Sequence, residues 1–366
     1  MTSSPRIWLL LGLKQGDNNQ LRLLAESLGE PVVEKRLRYR AWELLVGRLL
    51  GATLAGTDRN RSDAIEPPWP DLVLSAGRRN EPIARWIKEA SGGRCRIVHL
   101  GRPWSRPEHW DLVVTTPQYQ VPSGSRVVEI DLPLHRVDHA RARDAARRLQ
   151  PALAGLPRPW TALLLGGNAG DFRLSGRRVS RLIAELDALL ARVGGSLLVS
   201  SSARTPSGLV DTIDRHFGAR ARIYRFRPDD PDNPYAAYLA LADRFVVTAD
   251  SISMVVEAIA SGRPVQVFDS RIGSRRAPWF LDRDGWRYRP LVQRLSRLLA
   301  PRRLRRDPMR IHRRLEAEGR IGWLGKDEKP APSTLDDGSR DLELVTRRVR
   351  ALLAAAPQEA ASDSRG

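Results

Sequence analysis

Short, continuously apolar segments alternate with amphipathic segments along most of the chain, and this alternation restricts the fold more than any other feature. In the first half the apolar segments are typical of buried strands, and several segments between them carry apolar residues at helical spacing. Such alternation predicts a parallel sheet that is covered on both faces. The predicted strands are Ile7–Leu11, Val32–Leu37, Leu72–Ser75, Arg96–Leu100, Leu112–Thr115 and Val127–Ile130, and the predicted helices are Gln20–Leu28, Ala41–Leu54 and Glu81–Ala90.

A proline-rich connection, PALAGLPRP at 151–159, interrupts this alternation before it starts again. We therefore predict an α/β protein of two Rossmann-like parallel-sheet domains, residues 1–150 and 151–330, with a cleft between them. Residues 331–366 are predicted to form a polar loop, a helix and a frayed tail. Ligands of such sheets bind beyond the carboxyl ends of the strands. The elements predicted after the connection are strand Thr161–Leu165, helix Arg178–Val193, strand Ser196–Ser200, helix Gly208–Phe217, strand Arg222–Phe226, helix Tyr235–Leu241, helix Pro290–Ala300 and helix Leu342–Ala354.

Composition describes a basic globular chain. Of its 366 residues 42% are apolar, and 61 lysines and arginines against 42 acidic residues give a net charge of +19. This charge predicts an anionic partner, either phosphorylated small molecules or an anionic membrane surface, while no helix-turn-helix, zinc-finger or RNP pattern favours nucleic acid. The single cysteine, Cys95, excludes an intramolecular disulfide and fits a reducing compartment. The apolar run Ile7–Leu13 is too short to span a bilayer, so we expect a cytoplasmic protein.

The stretch Arg244–Phe268, RFVVTADSISMVVEAIASGRPVQVF, has the signals of a strand, a polar loop, a helix and a second strand. The free N–H groups at such a helix N-terminus, beside Ser251 and Ser253, can bind an anion. Glu257 lies one to two turns into the helix, where its carboxylate could accept hydrogen bonds from the hydroxyls of a ribose. Two interpretations stay open at this point: a nucleotide-sugar pocket, or an ordinary βαβ unit whose serines only cap the helix.

Two further loops follow strands of the second domain. Gly166, Gly167 and Asn168 come directly after a strand, and paired glycines let backbone N–H groups approach a phosphate closely. A second loop, SSARTP, contains an arginine that can offer planar bidentate contacts to a diphosphate. Because parallel strands end at one edge of a sheet, both loops should converge on the loop of Asp250. The residues predicted to bind the donor from the second loop are Ser201, Arg204 and Thr205.

The first domain has its own polar loop, GLKQGDNNQ, after its first strand. Asp17 in this loop could act as a general base for an incoming hydroxyl, or Asp17 or Asn18 could simply cap the following helix. Further polar residues at strand ends would bring cationic groups to the acceptor side. The residues predicted to line the acceptor side are Lys14, Gln15, Asn18, Arg78, Asn80, Arg102 and Gln118.

The sequence has no HExxH motif and no Cys/His cluster. We therefore expect chemistry without a bound metal or a cofactor, in which helix N-termini and arginine stabilise the charge of a leaving diphosphate. The nucleotide-sugar would be a donor substrate.

The segments KQGDNNQ, SAGRRN, LGRP, TTPQY, LLLGGNAG, SSARTP and TADSISMVVEA lie between residues 14 and 258. Together they resemble the family named after the plant "elongated mitochondria" fission factor. The resemblance implies a GT-B fold with the nucleotide-sugar donor in the second domain, since bacterial members look like GT-B glycosyltransferases, including lipopolysaccharide outer-core types. The plant relative is an adaptor in fission, so the fold need not be catalytic.

Two segments are also similar to the donor site of the lipid-linked peptidoglycan N-acetylglucosaminyltransferase. That similarity implies phosphate contacts from the glycine loop and nucleoside contacts from the first turns of the helix after Asp250. It places the acceptor-side base in the first loop, where that enzyme has a histidine and this chain has Asp17. The residues carried over are Gly166, Gly167 and Asn168 for phosphate, and Ser251, Ser253, Met254 and Glu257 for the nucleoside.

The leading hypothesis is a glycosyltransferase that moves a sugar from a nucleotide donor to an anionic cell-envelope glycolipid or core-oligosaccharide acceptor. A nucleotide-sugar epimerase, which would turn over donor alone, and a membrane-recruiting adaptor with a vestigial pocket are the alternatives. A cationic, aromatic and leucine-rich stretch at 35–50, KRLRYRAWELLVGRLL, has the composition of an interfacial segment. It predicts peripheral docking at the inner face of the cytoplasmic membrane, unless the same leucines pack the helix onto the sheet.

Overall fold

The computed structural model describes residues 4–40, 51–136, 138–169, 172–271, 307–326 and 338–355. Two compact units result. The first combines Met1–His135 with the segments Pro301–Arg306 and Gly338–Gly366, and the second combines Arg136–Ala300 with Asp307–Asp337. Each unit is built on a six-stranded sheet.

The sheet of the first unit has strand order β2-β1-β3-β4-β5-β6, and every pairing in it is parallel. Side chains alternate along the central strands, and apolar residues face both ways. In β1, Ile7, Leu9 and Leu11 enter one buried cluster, while Trp8 and Leu10 enter the cluster on the opposite face. Burial on both faces explains why these strands are continuously apolar. The elements are β1 (Ile7–Leu11), α1 (Gln15–Leu28), β2 (Val32–Arg36), β3 (Leu72–Ala76), α2 (Glu81–Ala90), β4 (Arg96–Leu100), β5 (Leu112–Thr115) and β6 (Val127–Glu129).

The sheet of the second unit has strand order β12-β11-β10-β7-β8-β9, again with parallel pairings throughout. Strands β7 and β10 lie side by side in the middle of the sheet. From them β8 and β9 extend it to one side, and β11 and β12 extend it to the other. The elements are α3 (His139–Leu149), β7 (Trp160–Leu164), α4 (Arg177–Val193), β8 (Ser196–Ser200), α5 (Ser207–Phe217), β9 (Ala221–Tyr224), α6 (Tyr235–Leu241), β10 (Arg244–Thr248), α7 (Ile252–Ala260), β11 (Val265–Phe268), α8 (Met309–Ala317) and β12 (Gly322–Trp323).

The predicted fold class, α/β with two Rossmann-like parallel sheets of the GT-B kind, is confirmed by these two sheets. Most predicted elements are present with ends shifted by a residue or two. The largest shift within the described residues is α1, which begins at Gln15 and was predicted to begin at Gln20. Its first turn, QGDNN, is polar, and hydrophobic periodicity cannot detect a polar turn.

Two predicted helices fall mainly outside the described residues. The helix predicted over Pro290–Ala300 lies wholly outside them. Positions 41–50 of the helix predicted over 41–54 also lie outside them. The remaining positions, 51–54, are described and are not helical. The predicted membrane-docking stretch at 35–50 is therefore described only up to Arg40. No helix among the described residues is long and apolar enough to cross a membrane.

The division between the units differs from the predicted boundary at residue 150. Helix α3 precedes the proline-rich connection, yet it packs against α6 of the second unit. At the other end of the chain α9 (Ser339–Ala354) packs against α1 of the first unit. Its Val345 and Val349 are buried in the same cluster as Leu21 and Leu24, and a hydroxyl pair, Ser27 Oγ with Thr346 Oγ1 at 2.6 Å, joins the two helices. Side-chain packing, which a linker pattern does not report, sets this boundary.

Candidate functional site

Three loops meet at the carboxyl edge of the second sheet, as the sequence predicted. The Gly166 N–H donates to Thr248 Oγ1 at 2.8 Å, and the Gly167 N–H donates to Asp250 Oδ2 at 2.8 Å. The Thr248 hydroxyl donates in turn to Asp250 Oδ1 at 2.8 Å. The loops after β7 and β10 are thus fastened to each other through one carboxylate.

Arg204 adds the loop after β8 to this arrangement. Its Nη2 lies 3.0 Å from Asp250 Oδ2, and the arginine side chain is 43% exposed although the Asp250 side chain is fully buried. Burial raises the pKa of the Asp250 carboxyl, and the Arg204 charge and the hydrogen bonds from Thr248 and Gly167 oppose that rise. The guanidinium therefore pairs with a buried carboxylate while part of it faces solvent.

Both glycines are required by this close approach. A Cβ on Gly166 would lie 2.3 Å from Asp250 Oδ2, and a Cβ on Gly167 would lie 2.0 Å from the carbonyl oxygen of Arg204. Their N–H groups are hydrogen-bonded within the protein, to Thr248 and Asp250. Asn168 is also engaged, because its side-chain oxygen accepts the Leu174 N–H at 2.9 Å. The phosphate contacts expected of this loop stay a prediction. The contacts that the structure shows there are hydrogen bonds to other residues of the protein.

Hydroxyl groups fix the loop that carries Arg204. Ser201 Oγ accepts the Phe226 N–H at 2.8 Å and so ties the ends of β8 and β9 together. Ser202 Oγ donates to the Gly166 carbonyl at 2.6 Å, and Thr205 Oγ1 donates to the Leu165 carbonyl at 3.0 Å. The sequence analysis predicted donor contacts for Ser201 and Thr205 and did not single out Ser202 or Thr248. The hydroxyls hold the backbone, which leaves Arg204 as the outward-facing group of this loop.

Helix α7 starts at the same edge without a side-chain cap. Ser251 occupies the N-cap position, but its hydroxyl makes no cap hydrogen bond to the described residues of the helix. The first intrahelical bond runs from the Val255 N–H to the Ser251 carbonyl at 3.1 Å. The interpretation that Ser251 only caps the helix is therefore wrong. Ser253 and Met254 lie half-buried in the first turn, where helix N–H groups attract anions.

Glu257, further along α7, is hydrogen-bonded to a tyrosine that the sequence analysis missed. The Tyr235 hydroxyl at the start of α6 donates to Glu257 Oε2 at 2.5 Å. Burial raises the pKa of the Glu257 carboxyl, and the hydrogen bond from Tyr235 opposes that rise. Burial and the neighbouring carboxylate hold the pKa of Tyr235 well above its ordinary value. No local signal identifies Tyr235, since the pair joins residues of two different helices.

In the first unit Asp17 lies in the first turn of α1, and its side chain is 31% exposed. Lys14 Nζ lies 3.7 Å from Asp17 Oδ2. The same carboxylate oxygen is 3.1 Å from where a Cβ on Gly77 would lie, so Asp17 reaches the end of β3. Lys14 is the N-cap residue and no side-chain cap bond forms within this described helix, so the interpretation of Asp17 or Asn18 as the cap is wrong.

Two of the predicted acceptor-side residues form hydrogen bonds to the backbone of the protein. The Asn18 amide bonds Gly12 twice: its Oδ1 accepts the Gly12 N–H, and its Nδ2 donates to the Gly12 carbonyl, both at 3.0 Å. The buried Asn80 donates from Nδ2 to the Leu10 carbonyl at 2.6 Å and accepts a hydrogen bond from the Tyr39 hydroxyl. These amides shape the loop after β1 and do not point out of it.

The remaining predicted residues lie on loops around this edge, except for Gln15, which is the first residue of α1. Arg78 stacks over Trp104 with 5.2 Å from its guanidinium carbon to the ring centroid, and Arg102 lies 5.9 Å from the Tyr119 ring. Gln118 is buried and donates to Thr116 Oγ1 at 3.1 Å, whereas Gln15 is exposed and donates to Asn19 at 3.2 Å. The sequence analysis missed Glu81, whose carboxylate accepts the N–H groups of Trp104 and Ser105 at 2.6 Å each.

His99 is a buried titratable group behind this edge, within β4. Its Nδ1 lies 3.0 Å from Ser75 Oγ, and its ring packs 4.6 Å from the Trp110 ring centroid. Burial lowers the pKa of His99 from 6.5 to about 4, and the charges of Glu81 and Asp17 oppose that fall. Within the described ranges no group of three or more histidine, cysteine or acidic side chains is placed to hold a metal ion.

Two parallel-sheet units with polar loops at the carboxyl edges of their strands define an α/β protein of two Rossmann-like units. Residues 15–304 match the family model described as mitochondrial fission ELM1, which is most of the chain. This protein therefore belongs to the mitochondrial fission ELM1 family, as its sequence motifs had suggested.

Among its relatives is the mitochondrial fission protein ELM1 of Arabidopsis thaliana, which is 28% identical over 253 residues. That match covers 63% of this chain and 58% of the plant protein, so less than two thirds of the plant protein's length is spanned. An uncharacterized protein of Rickettsia prowazekii (strain Madrid E) is 24% identical over 295 residues, 72% of this chain and 82% of that one. Of the solved structures, the S. aureus MnaA-UDP co-structure has a TM-score of 0.47 and 10% identity, with 96% of this chain and 92% of that chain covered.

Lowering the pH should destabilise the first unit through His99. The pKa of His99 is about 4 when folded and near 6.5 when unfolded, so between these values the unfolded chain binds the extra proton. The contribution is fully present above pH 6.5 and is lost as the pH falls to 4, by about 3 kcal/mol at ~1.4 kcal/mol per pKa unit. Urea unfolding from pH 7 to pH 4 measures it. His99→Gln should flatten this slope, and a slope equal to that of the wild type would contradict the assignment.

Gly167→Ala should destabilise the second unit by roughly 1–3 kcal/mol, because the new Cβ would collide with the backbone of Arg204. Gly208→Ala is the matched control. Gly208 lies in α5 with nothing within 4 Å of its Cβ position, so alanine there should leave stability unchanged or raise it. Thermal unfolding compares the two, and equal melting temperatures would mean that the loop yields to the methyl group.

Proposed function

We propose that the protein is a GT-B-type glycosyltransferase whose second unit binds the nucleotide of a sugar donor. One observation carries the proposal: helix α7 begins without a side-chain cap at the edge where Arg204 is exposed, and it holds the Glu257 carboxylate one to two turns further on. An anion-attracting helix start, a bidentate cation and a fixed carboxylate match the phosphate and ribose parts of a nucleotide.

Each group has a role in this proposal. The first-turn N–H groups of α7, around Ser253 and Met254, and the guanidinium of Arg204 would hold the diphosphate. Glu257 would accept hydrogen bonds from the ribose hydroxyls. During transfer the same cationic groups would stabilise the charge that grows on the leaving diphosphate, so that no divalent metal is required.

In the first unit Asp17 is the proposed general base. Its carboxylate is partly exposed at the carboxyl edge of the sheet, where an acceptor hydroxyl could reach it. Lys14, Arg78 and Arg102 on the loops around that edge, and Gln15 at the start of α1, would contact an anionic glycolipid or core-oligosaccharide acceptor. A lipid-anchored acceptor would require the protein to work peripherally at the cytoplasmic face of the membrane.

A second candidate function is that of an adaptor with a vestigial pocket. Two observations favour it. The N–H groups of Gly166 and Gly167 are hydrogen-bonded within the protein, and the Arabidopsis relative is named for mitochondrial fission. An adaptor needs no nucleotide, so nucleotide binding separates the two functions.

UDP or another nucleotide should raise the melting temperature. A ligand at ~100 times its dissociation constant adds about 2.7 kcal/mol to the free energy of unfolding. Glu257→Ala should weaken binding by roughly 1–3 kcal/mol, because ribose hydroxyls would lose their acceptor. The measurement is a thermal-shift screen of UDP-, GDP-, dTDP- and CMP-sugars and their free nucleotides, with Glu89→Ala at a solvent-exposed position of α2 as control. A melting temperature that none of these nucleotides raises would support the adaptor function.

Asp17→Asn should lower kcat by ~10²–10⁴ and leave donor affinity unchanged, because the amide cannot take the acceptor proton. Sugar transfer measured in EDTA, together with donor binding by calorimetry, separates the two effects. Asp58→Asn, at a half-buried position of the same unit, controls for the charge change. Normal turnover by Asp17→Asn would remove Asp17 from the mechanism, and turnover of donor without acceptor would indicate an epimerase.

A further inference from the structure

The contact between Tyr235 and Glu257 joins two helices that lie on either side of β10 in the chain. Tyr235 is the first residue of α6, and Glu257 lies in the middle of α7. The phenol hydroxyl donates to Glu257 Oε2 at 2.5 Å, and both side chains are half-buried. A half-buried carboxylate with one fixed donor has a defined orientation and an oxygen, Oε1, that this bond leaves available.

The other ionisable groups of the elements around Glu257 are few, except on α3, which packs against α6 and carries Arg141, Arg143, Asp144, Arg147 and Arg148. Helix α7, ISMVVEAIA, has no ionisable residue besides Glu257, and β11, VQVF, has none. In β10, RFVVT, the ionisable residue is Arg244 at the opposite end, and the loop after it contributes Asp250, which pairs with Arg204. Helix α6 contributes Tyr235 and Tyr238. Tyr235 is thus the group of these elements that bonds the Glu257 carboxylate.

We propose that Tyr235 is a positioning residue that orients the Glu257 carboxylate toward the ribose of the nucleotide and thereby selects ribonucleotides over 2′-deoxyribonucleotides. This inference rests on the proposed nucleotide site. It assigns a role to a residue that would not touch the reacting atoms.

The selection follows from counting donors and acceptors. A carboxylate offers about four lone-pair positions, and Tyr235 uses one of them on Oε2. The 2′ and 3′ hydroxyls of a ribose supply two further donors, one for each oxygen. A 2′-deoxyribose supplies a single donor and leaves an acceptor of a half-buried carboxylate unsatisfied, which weakens binding. Without Tyr235 the terminal torsion of Glu257 has no fixed value, because such torsions have broad energy wells.

The same hydrogen bond gives nucleotide binding a characteristic pH dependence. Tyr235 lowers the pKa of Glu257 against the effect of burial, so Tyr235→Phe raises that pKa further. Only the ionised carboxylate accepts hydrogen bonds from both ribose hydroxyls. Binding must therefore weaken as the pH falls through the pKa of Glu257, and in Tyr235→Phe this loss must begin at a higher pH. A variant that merely loosened the packing would weaken binding without moving the pH midpoint.

The experiment is calorimetric titration of the full chain between pH 5 and pH 8 with UDP, GDP, CDP and ADP, followed by the 2′-deoxy counterpart of the tightest ligand. Tyr235→Phe should weaken binding of the ribonucleotide by about two- to tenfold, which is the usual effect of one hydrogen bond. It should also bring the affinities for the ribonucleotide and its 2′-deoxy counterpart closer together. The pH at which half of the binding affinity is lost should shift upward. Tyr238→Phe is the matched control, since Tyr238 is a buried tyrosine one turn later on the same helix.

An infrared measurement on the ligand-free protein separates the two ways in which this inference can fail. The carboxylic-acid band that is present in the wild type and missing in Glu257→Gln reports protonation of Glu257 directly. If Tyr235→Phe leaves the midpoint of this band, the affinity and the sugar preference unchanged, the inference is overturned and the nucleotide site stands. If the band shifts but the wild type binds no nucleotide, the proposed function is overturned, and the inference falls with it.

Discussion

The fully buried carboxylate of Asp250 is the interaction on which the carboxyl edge of the second sheet depends. It accepts the Gly167 N–H and the Thr248 hydroxyl and pairs with Arg204, so it joins the loops that follow β7, β8 and β10. A buried charge is costly unless every part of it is paired, and removal of one partner leaves the others uncompensated. Both glycines exist in this loop because any side chain would occupy the space of Asp250 or of the Arg204 backbone. The three loops are therefore joined by contacts within the protein, and the half-exposed Arg204 guanidinium lies where they meet.

The fold could be predicted from the sequence because its strands are apolar on both faces and its helices are periodic. Trp8 and Leu10 belong to one core cluster and Leu9 and Leu11 to the other, and such burial needs a parallel sheet covered on two sides. Prediction was weaker where pattern and packing differ. The polar first turn of α1 carries no apolar period, and the affiliation of α3 and α9 depends on contacts with α6 and α1 that no linker motif encodes.

The convergence of polar loops at the carboxyl edge was predicted, but the side-chain contacts within these loops were not. Strand ends and glycines identify where polar loops converge, because parallel strands share a carboxyl edge. They do not distinguish groups that face a ligand from groups that hold the loop. Asn18 and Asn80 turned out to clamp Gly12 and Leu10, and Glu81 holds the N–H groups of Trp104 and Ser105. Tyr235 was not predicted because its partner, Glu257, lies on another helix. A contact between residues far apart in the sequence produces no local sequence pattern.

The packing of α9 against α1 has a consequence for synthesis of the protein. Leu21 and Leu24 of α1 share a cluster with Val345 and Val349, so the first helix of the described residues is covered by the last one. During translation, the second unit has emerged from the ribosome while the apolar side of α1 still lacks this cover. Domains usually fold in order as they emerge, and uncovered apolar surface invites aggregation. The first unit therefore completes its buried cluster only after the second unit has been synthesised.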